Sequence, residues 1–134
     1  ALDRCTVPVL LLSGWQDIFV DQTVDQYRQL RDRGVDVAMT IGPWTHDQMV
    51  TKAAGSTAAE TLEWLGAHLA RNRVSPRPKP VRVYVTGRTR PGWVALADWP
   101  PATVEQVFYL QPRGLLGTDP PQPSAADATV RLSR

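Results

Sequence analysis

The stretch Val7-Pro8-Val9-Leu10-Leu11-Leu12-Ser13-Gly14-Trp15-Gln16-Asp17 decides how the rest of the chain is read. Residues 7–12 are the longest uninterrupted apolar run, rich in branched side chains. That pattern suits a strand covered on both faces, as in a parallel sheet. Pro8 lacks an N–H, which a strand tolerates among its first residues. Gly14 lets the chain turn sharply where the strand ends. Working outward, Val35-Asp36-Val37-Ala38-Met39-Thr40-Ile41 reads as a second strand and runs into Gly42-Pro43-Trp44-Thr45-His46. Between the two, Val24, Tyr27 and Leu30 recur at a helical interval and should face the sheet. Asp25, Arg28, Arg31 and Asp32 should face water. Asp21 is the expected N-cap and Gly34 the expected stop. A strand–helix–strand unit of this length predicts a right-handed parallel crossover. Val35, Val37, Met39 and Ile41 share one face of the second strand. Asp36, Ala38 and Thr40 share the other, so that face is expected to be less completely covered.

Reacting groups in parallel α/β sheets gather at the carboxyl ends of strands. Asp17 and His46 both stand there, on consecutive strands. A hydrolytic triad needs a carboxylate that holds an imidazole in one tautomer and stabilises its cation. It needs an imidazole that takes and returns a proton near neutral pH. In α/β-hydrolases the acid precedes the histidine along the chain, and that order holds here. The nucleophile is the missing part. The serines are Ser13, Ser56, Ser75, Ser124 and Ser133, and no G-x-S-x-G occurs. Only Ser13 lies near a strand end, without the glycine spacing of a nucleophile elbow. The expectation is therefore an acid and a base here, with the nucleophile upstream in a longer parent.

After His46 comes a polar loop over residues 47–55. A second helix is expected from Ser56 or Thr57, where Thr57-Ala58-Ala59-Glu60 fits a capping box. Leu62, Leu65 and Leu69 should form its apolar face, with Trp64 beside the stripe and His68 on the surface. Of the 12 prolines only Pro8 and Pro43 precede residue 76, which places a domain boundary within residues 71–80. The period then becomes two. Val81, Val83 and Val85 alternate with Arg82, Tyr84 and Thr86 in a half-buried strand. Further strands are expected over 93–96, 103–110 and from 128 to 132. Gly114-Leu115-Leu116-Gly117 reads as a turn, and residues 119–124 as a proline-rich loop. Short strands of this kind open a β-sandwich. The resulting open edges and uncovered apolar face would favour association.

Composition narrows the function classes. An apolar content of 43% and a charged content of 21% over 134 residues are those of a globular chain. A net charge of +2 gives no case for a nucleic-acid partner, and no apolar run is long enough to span a membrane. The single Cys5 excludes an intrachain disulfide and a multi-cysteine metal site. Asp47 beside His46, with no other histidine near, makes a poor metal pair. No signal peptide is visible and a cytoplasmic location is favoured, although the chain starts Ala-Leu-Asp-Arg without Met.

Gly14-Trp15-Gln16-Asp17 and Gly42-Pro43-Trp44-Thr45-His46 resemble the acid and histidine motifs of the CocE/NonD serine hydrolases, a family of esterases, amino-acid ester hydrolases and X-Pro dipeptidyl-peptidases. The helix segment 61–69 is similar to the one closing that family's catalytic domain, and Pro80-Val81-Arg82-Val83-Tyr84-Val85-Thr86-Gly87 to the strand opening its C-terminal domain. Trp93, Trp99-Pro100-Pro101, Phe108-Tyr109-Leu110 and Gly114-Leu115-Leu116 also match. The resemblance implies an α/β fold: residues 1–75 as the C-terminal part of an α/β-hydrolase sheet, and 76–134 as the start of a jelly-roll β-sandwich. It implies Asp17 as the triad carboxylate and His46 as general base, acting through an acyl-enzyme on an upstream serine. Trp15 and Trp44 would wall the acyl pocket, although ordinary packing around the strand ends is the reading their position favours. No metal or organic cofactor is implied. The expected partner is a small acyl ester or amide, or a peptide substrate, with no nucleic acid, no membrane and a possible homo-oligomer. The alternative is a non-catalytic β-rich module that binds carbohydrate or protein through Tyr84, Trp93, Trp99 and Tyr109.

Overall fold

A computed structural model describes residues 2–69, 77–87 and 89–120. Strands β1 (Val9–Gln16) and β2 (Val37–Thr45) pair in parallel, from Val9 opposite Val37 to Gly14 opposite Gly42. Helix α1 (Val20–Asp32) connects them, as the apolar spacing requires. Its Tyr27 and Leu30 are fully buried against Val37, Met39, Ile41, Val81 and Val83. Burying a side chain of Leu30's size stabilises the fold by roughly 1.5–3 kcal/mol. The helix stops where Gly34 turns left-handed at φ 74°. There the Val35 N–H donates to the Leu30 carbonyl at 3.0 Å and the Gly34 N–H to that of Arg31 at 2.8 Å. This pair of bonds is a Schellman closure, which glycine makes without a Cβ penalty.

The start of α1 departs from expectation. Asp21 lies inside the first turn, and the residue before the helix is Phe19, without a side-chain cap. The Phe19 N–H donates instead to the Asp17 carboxylate at 3.0 Å. A residue at the end of β1 thus organises the helix entry. Arg31 is not simply solvated either. It bonds the Asp98 carboxylate at 2.6 Å and the Trp99 carbonyl at 2.7 Å.

The second face of β2 is covered, contrary to expectation: Ala38 and Thr40 are as buried as Met39 and Ile41. Alternation along the strand turns Thr40 away from α1. Its hydroxyl donates to Glu60 at 2.9 Å, so helix α3 (Ala54–Leu69) lies on that side. A short helix, α2 (His46–Met49), precedes it. The capping box sits on α2, between Thr45 and Gln48, not at Thr57 and Glu60. Glu60 is buried, paired with Arg77, and Thr40 accepts a further bond from Arg77 at 2.6 Å. A buried carboxylate needs such partners. Seating Glu60 and Trp64 inward turns Leu62, Leu65 and Leu69 outward, where they are exposed. The leucine stripe is thus not the buried face among the described residues.

Strand β3 (Val81–Val85) pairs in parallel with β2, and β4 (Gly92–Leu96) runs antiparallel to β3. The sheet order is β1-β2-β3-β4. The strand expected to open a second sheet therefore extends the first, because Val81 and Val83 join the core under α1.

The chain divides into two compact units, Ala1–Pro101 and Ala102–Arg134. In the second, β5 (Tyr109–Gln111) and β6 (Leu115–Gly117) form an antiparallel hairpin. The expected strand over 103–110 is realised only at its end, and Val104 and Phe108 are exposed. β-Propensity without a covering partner does not make a ladder. Leu115 and Leu116, read as part of a turn, are strand; the turn is Pro112–Gly114, with Arg113 and Gly114 at positive φ. The connector residues 70–76 and the expected strand over 128–132 lie outside the described residues.

Candidate active site

The ends of β1 and β2 are brought level by an irregularity. Gly14 faces Gly42, but Gln16 faces Thr45, so β2 carries one residue more over the same span. Asp17 and His46, the next residue on each strand, come together as a result. The approach is close. A Cβ at position 14 would overlap the Trp44 backbone, and one at position 42 would overlap the Trp44 ring. Glycine is needed at both places to let the extra residue fit.

Asp17 is 6% exposed and holds its carboxylate on three sides. Oδ2 accepts the Ser13 hydroxyl at 3.0 Å. Oδ1 accepts the Phe19 N–H at 3.0 Å and lies 3.1 Å from Nδ1 of His46. Burial pushes the Asp17 pKa up, but the bonds from Phe19, Ser13 and His46 and the attraction of His46 outweigh it, leaving it below the ordinary 3.8. Asp17 is therefore ionised at neutral pH. The bond to a carboxylate requires the proton on Nδ1, which leaves the Nε2 lone pair of a neutral ring unused. Among the described residues nothing bonds Nε2, and the His46 side chain is 57% exposed. The arrangement is a fixed carboxylate behind an imidazole whose basic nitrogen faces outward.

The aromatic ring against His46 belongs to Phe19, with centroids 5.3 Å apart and the planes at 72°. The sequence reading did not single it out; its signal would have been an aromatic two residues after the acid. Trp15 and Trp44 are engaged elsewhere. Trp15 donates from Nε1 to the Tyr84 carbonyl at 2.6 Å and packs on Trp99. Trp44 packs on Trp93 and lines a cavity of about 170 Å³ with Glu60, Arg82 and Tyr84. Trp93 also meets Tyr84 edge-on and carries the Arg82 guanidinium over its ring. Ser13 is fully buried and committed to Asp17, which removes it as a nucleophile. Ser56 donates to the Ala53 carbonyl. Among the described residues no serine bonds His46, and no group of three or more His, Cys, Asp or Glu could hold a metal ion.

The chain resembles known proteins in sequence and in fold. The model of the X-Pro dipeptidyl-peptidase (S15) family matches residues 1–48, which include Asp17 and His46. The chain is 28% identical over 132 residues to cocaine esterase of Rhodococcus sp. (strain MB1 Bresler), covering 87% of this chain and 22% of that protein. Its fold is similar to that of an α-amino acid ester hydrolase, with a TM-score of 0.63 and 22% identity over 90% of this chain and 23% of the other. These likenesses support the resemblance of the chain to the CocE/NonD hydrolases. The chain spans about a fifth of the length of these two relatives.

Proposed function

We propose that this chain carries the acid and base of a serine hydrolase that cleaves acyl ester or amide bonds through an acyl-enzyme, the nucleophile lying elsewhere in a longer polypeptide. The observation that carries the reading is the pairing of a buried, ionised Asp17 with an outward-facing His46 at the ends of adjacent parallel strands. In the reaction, Nε2 of His46 takes the proton of the nucleophile as its oxygen attacks the acyl carbon. It then returns that proton to the leaving group. It next takes a proton from water as that water attacks the acyl-enzyme, and gives it back to the nucleophile's oxygen as the acid leaves. Asp17 keeps Nδ1 protonated throughout and stabilises each imidazolium. The substrate is a small acyl ester or amide, or a peptide.

Phe19 is the ring best placed to exclude water from the imidazole, and Trp44 keeps a face on a cavity. Trp15, tied to Tyr84 and packed on Trp99, fits support of the strand end better than contact with substrate. Past residue 101 the β5–β6 hairpin would belong to the jelly roll implied by the family resemblance. The test is turnover of a chromogenic acyl ester by the full-length protein. Asp17→Asn should lower kcat by about 10⁴-fold with the fold retained. Wild-type turnover by that variant would discard the reading.

A further inference from the structure

The side chain of Ser13 has a fully buried hydroxyl directly after the apolar run Val9–Leu12 of β1. It stands opposite Ile41 in the β1–β2 ladder, with Leu11 and Trp15 its neighbours on the same face. An apolar residue would satisfy the strand's packing without a polar group to accommodate. The hydroxyl instead donates to Oδ2 of Asp17 at 3.0 Å. The other oxygen, Oδ1, holds the Phe19 N–H and faces His46. The terminal torsion of an aspartate is broad and roughly two-fold. With donors on both oxygens the carboxylate cannot rotate without breaking one bond or the other.

We propose that Ser13 is a positioning residue for the Asp17–His46 pair: its hydroxyl fixes the carboxylate plane so that Oδ1 meets the Nδ1 proton of His46. This rests on the reading of that pair as the acid and base of a hydrolase. Ser13 touches neither substrate nor His46 and acts only through Asp17. His46 is the titratable partner that bears on Asp17. Asp21 on α1 and Asp47 on α2 are the other carboxylates nearest in sequence.

Removing the hydroxyl frees the torsion and withdraws one donor from the carboxylate. The first effect lowers kcat. The second concentrates negative charge on the carboxylate, which then attracts the imidazolium more strongly. The test is the pH dependence of kcat and kcat/KM for an acyl ester, measured on the full-length protein with wild type, Ser13→Ala, Ser13→Cys and Asp17→Asn. Ser13→Ala should lower kcat by about 10- to 100-fold with KM little changed, as misplacement of a catalytic group does. The acidic limb of its kcat/KM profile should move to higher pH. Ser13→Cys, close in size but a weak donor, should move both quantities the same way, and it decides the question if the alanine variant does not fold. Wild-type kcat and an unmoved acidic limb in a folded variant, with Asp17→Asn inactive, would overturn the positioning role and leave the acid–base reading standing. An active Asp17→Asn would overturn both.

Discussion

Among the described residues two histidine–aspartate pairs are built in opposite ways. At the end of β2, the Asp17 side chain is 4% exposed and that of His46 57%. At its start, the order inverts: His68 of α3 is 15% exposed and its partner Asp36 59%. His68 uses both nitrogens, Nδ1 at 2.8 Å from the Trp64 carbonyl and Nε2 at 3.0 Å from Asp36. Its ring also lies 4.0 Å from that of Trp64. Equal distances therefore do not mean equal chemistry. A buried carboxylate with an outward imidazole leaves a nitrogen free to move protons. A buried imidazole with an exposed carboxylate is a fastening between α3 and β2.

The largest break in this contrast should come from Gly14→Val. A side chain there collides with the Trp44 backbone and must push the ends of β1 and β2 apart. Overpacking of this kind costs about 1–3 kcal/mol, read as a lower denaturation midpoint. Activity of the full-length protein should fall nearly as far as in Asp17→Asn, while the His68–Asp36 pair stays intact. The control is Gly66→Ala in α3, where the Cβ meets open space and should stabilise the helix by about 0.5–1 kcal/mol.

Acid should separate two carboxylates by their burial. The folded pKa of Asp17 lies below 3.8, so the unfolded state binds more protons as pH falls. Its contribution is complete above that value and is lost as pH drops through the lowered folded value. Asp98 is lowered too, first by the Arg31 hydrogen bond, against burial, with Trp99, Arg31's charge and Tyr27 also contributing. Asp98 is half exposed and should lose its share in molar salt, whereas buried Asp17 should keep its own. Stability plotted against pH in high salt should therefore flatten in Asp17→Asn and hardly change in Asp98→Asn.

The smallest effect should be that of Asp36→Ala. Exposed pairs contribute about 0–1 kcal/mol, so its unfolding free energy should fall by no more than that, with kcat unchanged.

Much of the first unit was legible in sequence because its signals are local. Tyr27 and Leu30 mark the buried face of α1, Gly34 its end, and the apolar run before Ser13 a two-sided strand. The meeting of Asp17 with His46 followed from two strand ends. What was missed depends on distant partners. The Leu62, Leu65 and Leu69 stripe looked inward because apolar spacing cannot report that Glu60 finds Thr40 and Arg77. His68 looked like a surface residue because its partner, Asp36, lies 32 residues away, just before β2. The one-residue excess in β2, which depends on two glycines facing each other, has no periodic signature at all.

The most direct test of the account is a side-by-side measurement on the full-length protein: kcat/KM for an acyl ester in His46→Ala and in His68→Ala. The account predicts a fall of about 10⁴-fold in the first and a value within about twofold of wild type in the second. Comparable losses in both variants, or a larger loss at position 68, would contradict it.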